Sequence, residues 1–386
     1  MSAESMAARI RRPGPKRLLA LDGGGIRGLI SIEILARLEE LLREARGEPT
    51  LVLGDWFDYV AGTSTGAIIA TCIALGLPME RVREFYLYGA ATMFKRAPLW
   101  KLLYYRHLDT ALTAQLRKEL TVDGRERTLG DEDLRTLLLI VMRNASTDSP
   151  WPISSNPFAK YNIRGTGSNL GIPLWQLVRA STAAPTYFPP EEIVVGDQTF
   201  TFVDGGVTVY NNPSFILFLM ATLPEYQLGW EMGEEQLLLF SVGTGILTGE
   251  AKRLDPSQMT LLYNMTSVPA ALIDAALNEQ DLICRVLGRC RFGAPIDREL
   301  EDLIVGDHVG DAGLGPFAPK KFTYVRYNPT LTASGLEALG LGQLRAQDVQ
   351  RMASSKHLPE LMAVGRAYAR TMDLAHLGPF DPRRAP

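Results

Sequence analysis

Short apolar runs, glycine clusters and helical spacing alternate along the first part of the chain. Arg17–Leu21 is apolar and predicts a strand, and Asp22-Gly-Gly-Gly-Ile-Arg-Gly28 follows it as a tight loop. From Leu29 to Arg46 the residues Ile34, Leu38, Leu41 and Leu42 share one helical stripe, which Gly47 and Pro49 end. A second strand over about Trp56–Ala61 runs into Gly62-Thr-Ser-Thr-Gly66, and a helix over Ala67–Leu75 stops at Gly76. Strand, loop and helix repeated in this order predict an α/β fold with a parallel sheet covered by helices. Thr136–Met142 is continuously apolar, as a buried central strand is. Pro173–Ala184 reads as a short helix, Thr199–Val203 and Leu237–Val242 as strands, and Ser214–Thr222 as an apolar helix between them. Lys321–Tyr327 alternates and reads as a late strand, with helices of charged face after it. Periodicity is weaker over 250–320, where Gly and Pro interrupt helix-like pieces. The expected organisation is a flexible tail over 1–16, a core over 17–249, an insertion or cap over 250–320, and a late strand with C-terminal helices over 321–386 that complete the domain.

Composition narrows the function. The 386 residues are 46% apolar and 22% charged, which is ordinary for a globular protein. Forty Lys and Arg against 43 Asp and Glu leave a net charge of −3, so no nucleic-acid polymer is expected as a partner. Cys72, Cys284 and Cys290 are too few and too scattered for a disulfide framework, and no Cys-x-x-Cys pair exists. With only four histidines, neither a metal nor another cofactor is expected. No apolar run reaches the roughly 18 residues of a membrane-spanning helix. The basic start (Arg9, Arg11, Arg12, Lys16, Arg17) leads into too short an apolar run for a secretory signal. The expectation is a cytoplasmic protein, in peripheral contact with a membrane at most.

Gly62-Thr63-Ser64-Thr65-Gly66 fits G-x-S-x-G. A serine on a sharp turn between strand and helix has strained backbone angles, and the flanking Gly62 and Gly66 remove the clashes that would forbid the turn. Its hydroxyl then stands at the strand's carboxyl end, over a helix N-terminus whose free amides, Thr65 first, suit a developing oxyanion.

Gly23–Gly28 also fits G-x-G-x-x-G, the dinucleotide fingerprint. That reading wants an acidic residue ending a second strand about 20 positions on. Here the stretch is still helix, turn and Pro49, and a serine elbow follows. No Gly-Lys-Ser/Thr follows either, so a Walker A loop is excluded. What remains is a ligand-free turn or an anion cradle. In the cradle, the amides of Gly24 and Gly25 converge on one oxygen and Arg27 adds charge at the rim, as a partner for a substrate phosphate or as a plain surface arginine.

A Ser–His–Asp triad needs a late histidine, and His308, His357 and His376 are available without a context that singles one out. Asp204 ends the alternating run Thr199-Phe-Thr-Phe-Val203 and precedes Gly205-Gly206. Asp-Gly between alternating stretches, with Val207-Thr-Val-Tyr210 after it, is a hairpin signal. Alternatively, a desolvated aspartate can act directly as the base for a serine.

Three motifs in this order, Asp22–Gly28, Gly62–Gly66 and Asp204–Gly206, resemble those of the bacterial patatin-like phospholipases. Arg179-Ala-Ser-Thr-Ala-Ala-Pro-Thr-Tyr-Phe-Pro189 and Ser241-Val-Gly-Thr-Gly245 resemble that family too. The likeness covers about 17–245 well, Lys321–Asn328 plausibly, and 250–320 poorly. It implies a three-layer α/β/α sandwich with a mostly parallel central sheet. It also implies a phospholipase A-type lipid acyl hydrolase working through a Ser–Asp dyad and an acyl-enzyme, without metal or histidine. Carried over by motif, Ser64 is the nucleophile and Asp204 the base. The amides of Gly24, Gly25 and Thr65 form the oxyanion hole, and Arg27 orients substrate. Gly23, Gly28, Gly62, Gly66, Gly205 and Gly206 are the motif glycines.

Phe85–Leu108 holds no acidic residue and mixes Lys95, Arg96, Lys101 and Arg106 with Phe85, Tyr86, Tyr88, Phe94, Trp100, Tyr104 and Tyr105. Such a mixture suits either a phospholipid membrane surface or a core helix beside a basic loop. Three rival roles stay open. One is a non-lipid serine esterase or thioesterase, and another a silent storage or binding protein. The third is a membrane-degrading effector of bacterial defence switched on by a small-molecule signal, with 250–320 as the place for the switch.

Overall fold

Along the first strand, β1 (Lys16–Leu21), Leu18 and Ala20 enter one apolar core while Leu19 and Leu21 enter another. From Leu18 to Leu21 the strand is covered on both faces, so each of these positions is apolar and the run does not alternate. The protein is therefore layered, with helices on both sides of a mostly parallel sheet. The computed structural model describes residues 6–93, 110–163, 165, 167–247, 260–294, 296, 319–352 and 354–384.

The remaining strands are β2 (Tyr59–Thr63), β3 (Thr121–Val122), β4 (Arg125–Glu126), β5 (Leu137–Asn144), β6 (Ser149–Ser154), β7 (Glu191–Val195), β8 (Gln198–Asp204), β9 (Leu237–Val242), β10 (Arg289–Phe292) and β11 (Thr323–Tyr327). The helices are α1 (Met6–Arg11), α2 (Gly28–Arg46), α3 (Leu53–Trp56), α4 (Thr65–Ala74), α5 (Met79–Met93), α6 (Thr110–Leu120), α7 (Leu174–Ser181), α8 (Ser214–Thr222), α9 (Leu261–Leu287), α10 (Ala333–Ala338), α11 (Ala346–Val349) and α12 (Leu358–Ala369). The main sheet runs β10-β11-β9-β1-β2-β5-β8-β7, with β6 also on β5, and β3 and β4 form a separate hairpin. Pairing is parallel from β10 to β5. It is antiparallel where β6, β8 and β7 join. One core packs α2, α4 and α12 against Leu19, Val60, Ile140 and Phe240, and the other packs α8 and Cys284 of α9 against Leu18, Ala61, Leu139 and Tyr324.

Several stretches differ from the reading of the chain. The expected tail holds α1, whose Ile10 is buried and whose Ile10 carbonyl accepts from the Trp230 indole at 3.2 Å. Trp56 closes a helical turn, and the strand begins at Tyr59 and continues to Thr63, directly against Ser64. Val207–Tyr210 is not a strand. Gly205–Val207 form a 3-10 turn instead, and the hairpin partner of β8 is β7, through Gly196-Asp197. In 250–320 the described residues supply α9 and an edge strand, β10, of the main sheet. Pro269 lies within α9 and reads as a break, which hides the helix. In the basic aromatic segment Tyr86 is buried and Tyr88 exposed, whereas Phe94, Lys95, Arg96, Trp100, Lys101, Tyr104, Tyr105 and Arg106 lie outside the described residues. No helix of the described residues is long and apolar enough to cross a membrane.

Candidate active site

The carboxyl edge of the sheet brings two distant strand ends to one point. The last residue of β2, Thr63, pairs with Val141 of β5. One residue further along β5, Met142 pairs in the antiparallel sense with Asp204, the last residue of β8. Residues 142–144 hold β6 on their other side, so β8 takes the edge that β2 vacates. Ser64 follows Thr63, and its Oγ donates to Asp204 Oδ2 at 2.7 Å.

The turn at Ser64 is strained as expected, with φ 54° and ψ −123° between β2 and α4. A Cβ at Gly62 would lie 2.1 Å from the Gly66 carbonyl oxygen, so a side chain there would break the elbow. The Ser64 amide donates to Ser181 Oγ at 2.9 Å, and Ser181 Oγ donates to the Val141 carbonyl at 2.6 Å.

Asp204 is 4% exposed, and its Oδ1 accepts from the Gly206 amide at 2.7 Å. Burial pushes its pKa up to about 6, against the opposing pull of the Ser64 hydroxyl, the Gly206 amide and the Arg179 charge. The carboxylate is thus a stronger base than a solvated aspartate, and its lone pair faces the serine proton.

The glycine loop stands beside this pair. The Gly23 amide donates to the Asn211 carbonyl at 3.1 Å, and Thr244 Oγ1 donates to the Gly23 carbonyl at 3.0 Å. Gly25 has φ +60°, and a Cβ on it would meet the Met352 carbonyl oxygen at 2.4 Å. The Tyr86 hydroxyl donates to the Gly25 carbonyl and lies 2.6 Å from Thr65 Oγ1, so one side chain braces both the loop and the start of α4. Among the described residues, none accepts a hydrogen bond from the amides of Gly24, Gly25 or Thr65. Gly25 and Thr65 also line the cleft that holds Ser64.

An open cleft of about 590 Å³ lies over Ser64 and Asp204, with Ile68, Leu112, Phe188 and Met352 among its walls. Its lining is largely apolar, with hydroxyls from Thr65, Tyr86, Thr182 and Tyr187 beside Ser64 and Asp204.

Arg27 is not at the rim. It is 6% exposed beneath the loop, with Nε 3.4 Å from the Gly24 carbonyl and Nη1 without a partner among the described residues. Burial lowers its pKa to about 10, opposed by the charges of Asp274 and Asp22. A charge expected at the rim is instead buried, where it feels the Asp274 charge of α9.

No described histidine partners Ser64. His376 Nδ1 pairs with the Tyr327 hydroxyl at 2.6 Å, His357 faces Asp348 and Glu360, and His308 lies outside the described residues. Among the described residues no group of three or more His, Cys, Asp or Glu stands where it could hold a metal ion. Sequence reading missed Ser181, Arg179 and Tyr86 as site residues. Ser181 and Arg179 sit in the stretch before Asp204 that resembled the family, which was the available signal. Tyr86 lies in the segment that suits either a membrane surface or a core helix, and its burial follows the second.

Comparison with known proteins gives one family. Residues 19–218 match the family model described as patatin-like phospholipase. The cGAMP-activated phospholipase of Vibrio cholerae is 32% identical over 257 residues, 63% of this chain and 67% of that protein. The cGAMP-activated phospholipase of Escherichia coli is 30% identical over 251 residues, 63% of this chain and 65% of that protein. The probable inactive patatin-like protein 9 of Arabidopsis thaliana is 26% identical over 289 residues, 70% and 71% of the two chains. The chain thus spans about two thirds of the length of the two bacterial relatives.

Proposed function

The chain belongs to the patatin-like phospholipase family, and from that premise we propose that it hydrolyses acyl esters of membrane glycerophospholipids with Ser64 as nucleophile and Asp204 as base. One observation carries the reading. The hydroxyl of a serine on a strained elbow donates to a buried carboxylate at 2.7 Å.

In the first half-reaction Asp204 takes the Ser64 proton as Oγ bonds to the ester carbonyl carbon. The carbonyl electron pair moves onto oxygen, where the amides of Gly24, Gly25 and Thr65 receive it. Collapse expels the lyso-lipid oxygen, which takes the proton from Asp204 and leaves an acyl-enzyme. In the second half-reaction a water gives its proton to Asp204 and attacks the acyl carbon. Collapse then returns the proton to Ser64 and releases the fatty acid.

The test uses purified protein on vesicles of mixed phospholipids, with free fatty acid and lyso-lipid read by mass spectrometry. Acyl release lost in Ser64→Ala is the expected result. Acyl release retained in that variant rejects the assignment. Activity confined to short soluble esters points to the non-lipid esterase instead.

A second reading concerns control. Two relatives bear the name cGAMP-activated phospholipase. On that likeness, we infer that a cyclic dinucleotide raises the vesicle activity of this protein at a membrane surface it reaches peripherally. Equal rates with and without added cGAMP would remove this reading and leave the hydrolase intact.

A further inference from the structure

Arg326 lies on β11, outside the residues that the family model matches. Its position is in register with Ser241 of β9, and β9 lies beside β1. Asp22, the first residue past β1, opens the glycine loop. The guanidinium meets its carboxylate as a fork, Nη1 to Oδ1 at 3.1 Å and Nη2 to Oδ2 at 2.6 Å. Nη1 also donates to Ser241 Oγ at 2.6 Å, and Nε lies 3.3 Å from Asp281 Oδ2 on α9. Asp281 is held in turn by Arg285 at 2.8 Å and by the Tyr324 hydroxyl at 2.9 Å. Both Arg326 and Asp22 are 1% exposed.

We propose that Arg326, backed by Asp281, is a positioning residue for hydrolysis, clamping Asp22 and so setting the glycine loop that presents the amides of Gly24 and Gly25. The proposal rests on the hydrolase reading above. A buried ion pair is a poor way to join two strands, because desolvation offsets most of its attraction and apolar side chains would serve as well. What apolar side chains cannot do is fix the plane of a carboxylate. A guanidinium fork fixes it, because both N–H vectors are rigid and parallel. Asp22 has no freedom left. Its amide donates to the Val242 carbonyl at 3.1 Å, both carboxylate oxygens are engaged, and the next residue, Gly23, donates to Asn211 at 3.1 Å. Gly24 and Gly25 therefore leave the sheet from an anchored point. An oxyanion donor acts only if it already stands where the charge will form.

The test compares Asp22→Asn, which keeps the shape and removes the charge, with Arg326→Lys, which keeps the charge and removes the fork. A fluorophosphonate titrates the competent Ser64 in each preparation, and kcat and KM are measured on a short-chain soluble ester. In both variants we expect kcat per titrated site to fall about 10- to 100-fold with KM within about twofold, the pattern of a lost transition-state contact. A purely structural pair would lower the titratable fraction and the melting temperature while kcat per titrated site stays as in the native protein, and that result overturns the proposal. Failure of both variants to fold overturns it as well, since a pair needed only for folding behaves that way. The native chain in the same assay separates the two readings: no turnover there defeats the hydrolase itself, whereas turnover with unchanged kcat in the variants defeats only the positioning role.

Discussion

The backbone amide of Ser64 donates to the hydroxyl of Ser181 at 2.9 Å, and that hydroxyl in turn donates to the Val141 carbonyl at 2.6 Å. One small side chain thus joins α7 to the elbow and to the strand beneath it. Holding a non-glycine residue at φ 54° has a cost, and this strut offsets part of it. Ser181→Ala leaves a buried amide and a buried carbonyl each short of a partner, so a stability loss of about 1–3 kcal/mol is expected. With the elbow loosened, kcat should drop about tenfold or more. Urea unfolding and ester kinetics on one preparation check both. A variant as stable and as active as the native protein denies the strut.

Asp204 should show opposite effects on activity and on stability. Burial raises its pKa to about 6 from an ordinary 3.8. The folded protein therefore holds the proton more tightly than the unfolded chain does. Stability from this group is present below about pH 4, is lost as pH rises toward about 6, and stays lost above it. That loss is on the order of 2–3 kcal/mol. Asp204→Asn does not ionise and escapes it. The expected variant loses about 10²–10⁴ in kcat, yet at pH 8 unfolds at a urea concentration equal to or above that of the native protein. A clear fall in midpoint at pH 8 contradicts the account.

The same shift sets an acid limb. Hydrolysis needs the Asp204 carboxylate ionised, so kcat/KM should rise with pH through an apparent pKa near 6. The buried Arg179 charge helps keep that value down. Arg179→Met should move the limb to higher pH, while Arg179→Lys should leave it near the native position. Identical limbs in all three proteins would show that Arg179 acts only through its packing and its bond to the Pro189 carbonyl at 2.7 Å.

Tyr86 gives a test of the oxyanion geometry. Its hydroxyl joins the Gly25 carbonyl to Thr65 Oγ1. Tyr86→Phe keeps the ring and removes the brace. A kcat about tenfold lower, with KM little changed, is expected if those amides receive transition-state charge. An equal change in KM and none in kcat assigns the hydroxyl to substrate binding instead.

Much of the site was legible in the chain because its parts are local. A triple glycine after an apolar strand, or a serine between two glycines, is a statement about backbone sterics within a few residues. Both turned out as such, with Ser64 at positive φ and Gly25 pressed against Met352. Buried strands were readable where the run is almost wholly apolar, as in Leu237–Val242, in which Ser241 is the single polar residue and whose ends coincide with β9. Hidden elements were those whose local signal conflicts with the outcome. Pro269 falls inside α9, and Asp204-Gly205 carries a hairpin signal where the strand instead ends at the site.

What the sequence alone determined, then, is which residues can bend, bury or react. Which of them meet was decided by tertiary structure. Ser64 and Asp204 touch because β8 takes the edge of β5 exactly one residue after β2 leaves it. Asp22 and Arg326 touch because β1, β9 and β11 lie side by side in register. Arg27 turned inward, and Asp204 became a stronger base, because packing removed water from both. Strand order and desolvation arise from contacts between distant segments, and no window of neighbouring residues contains them.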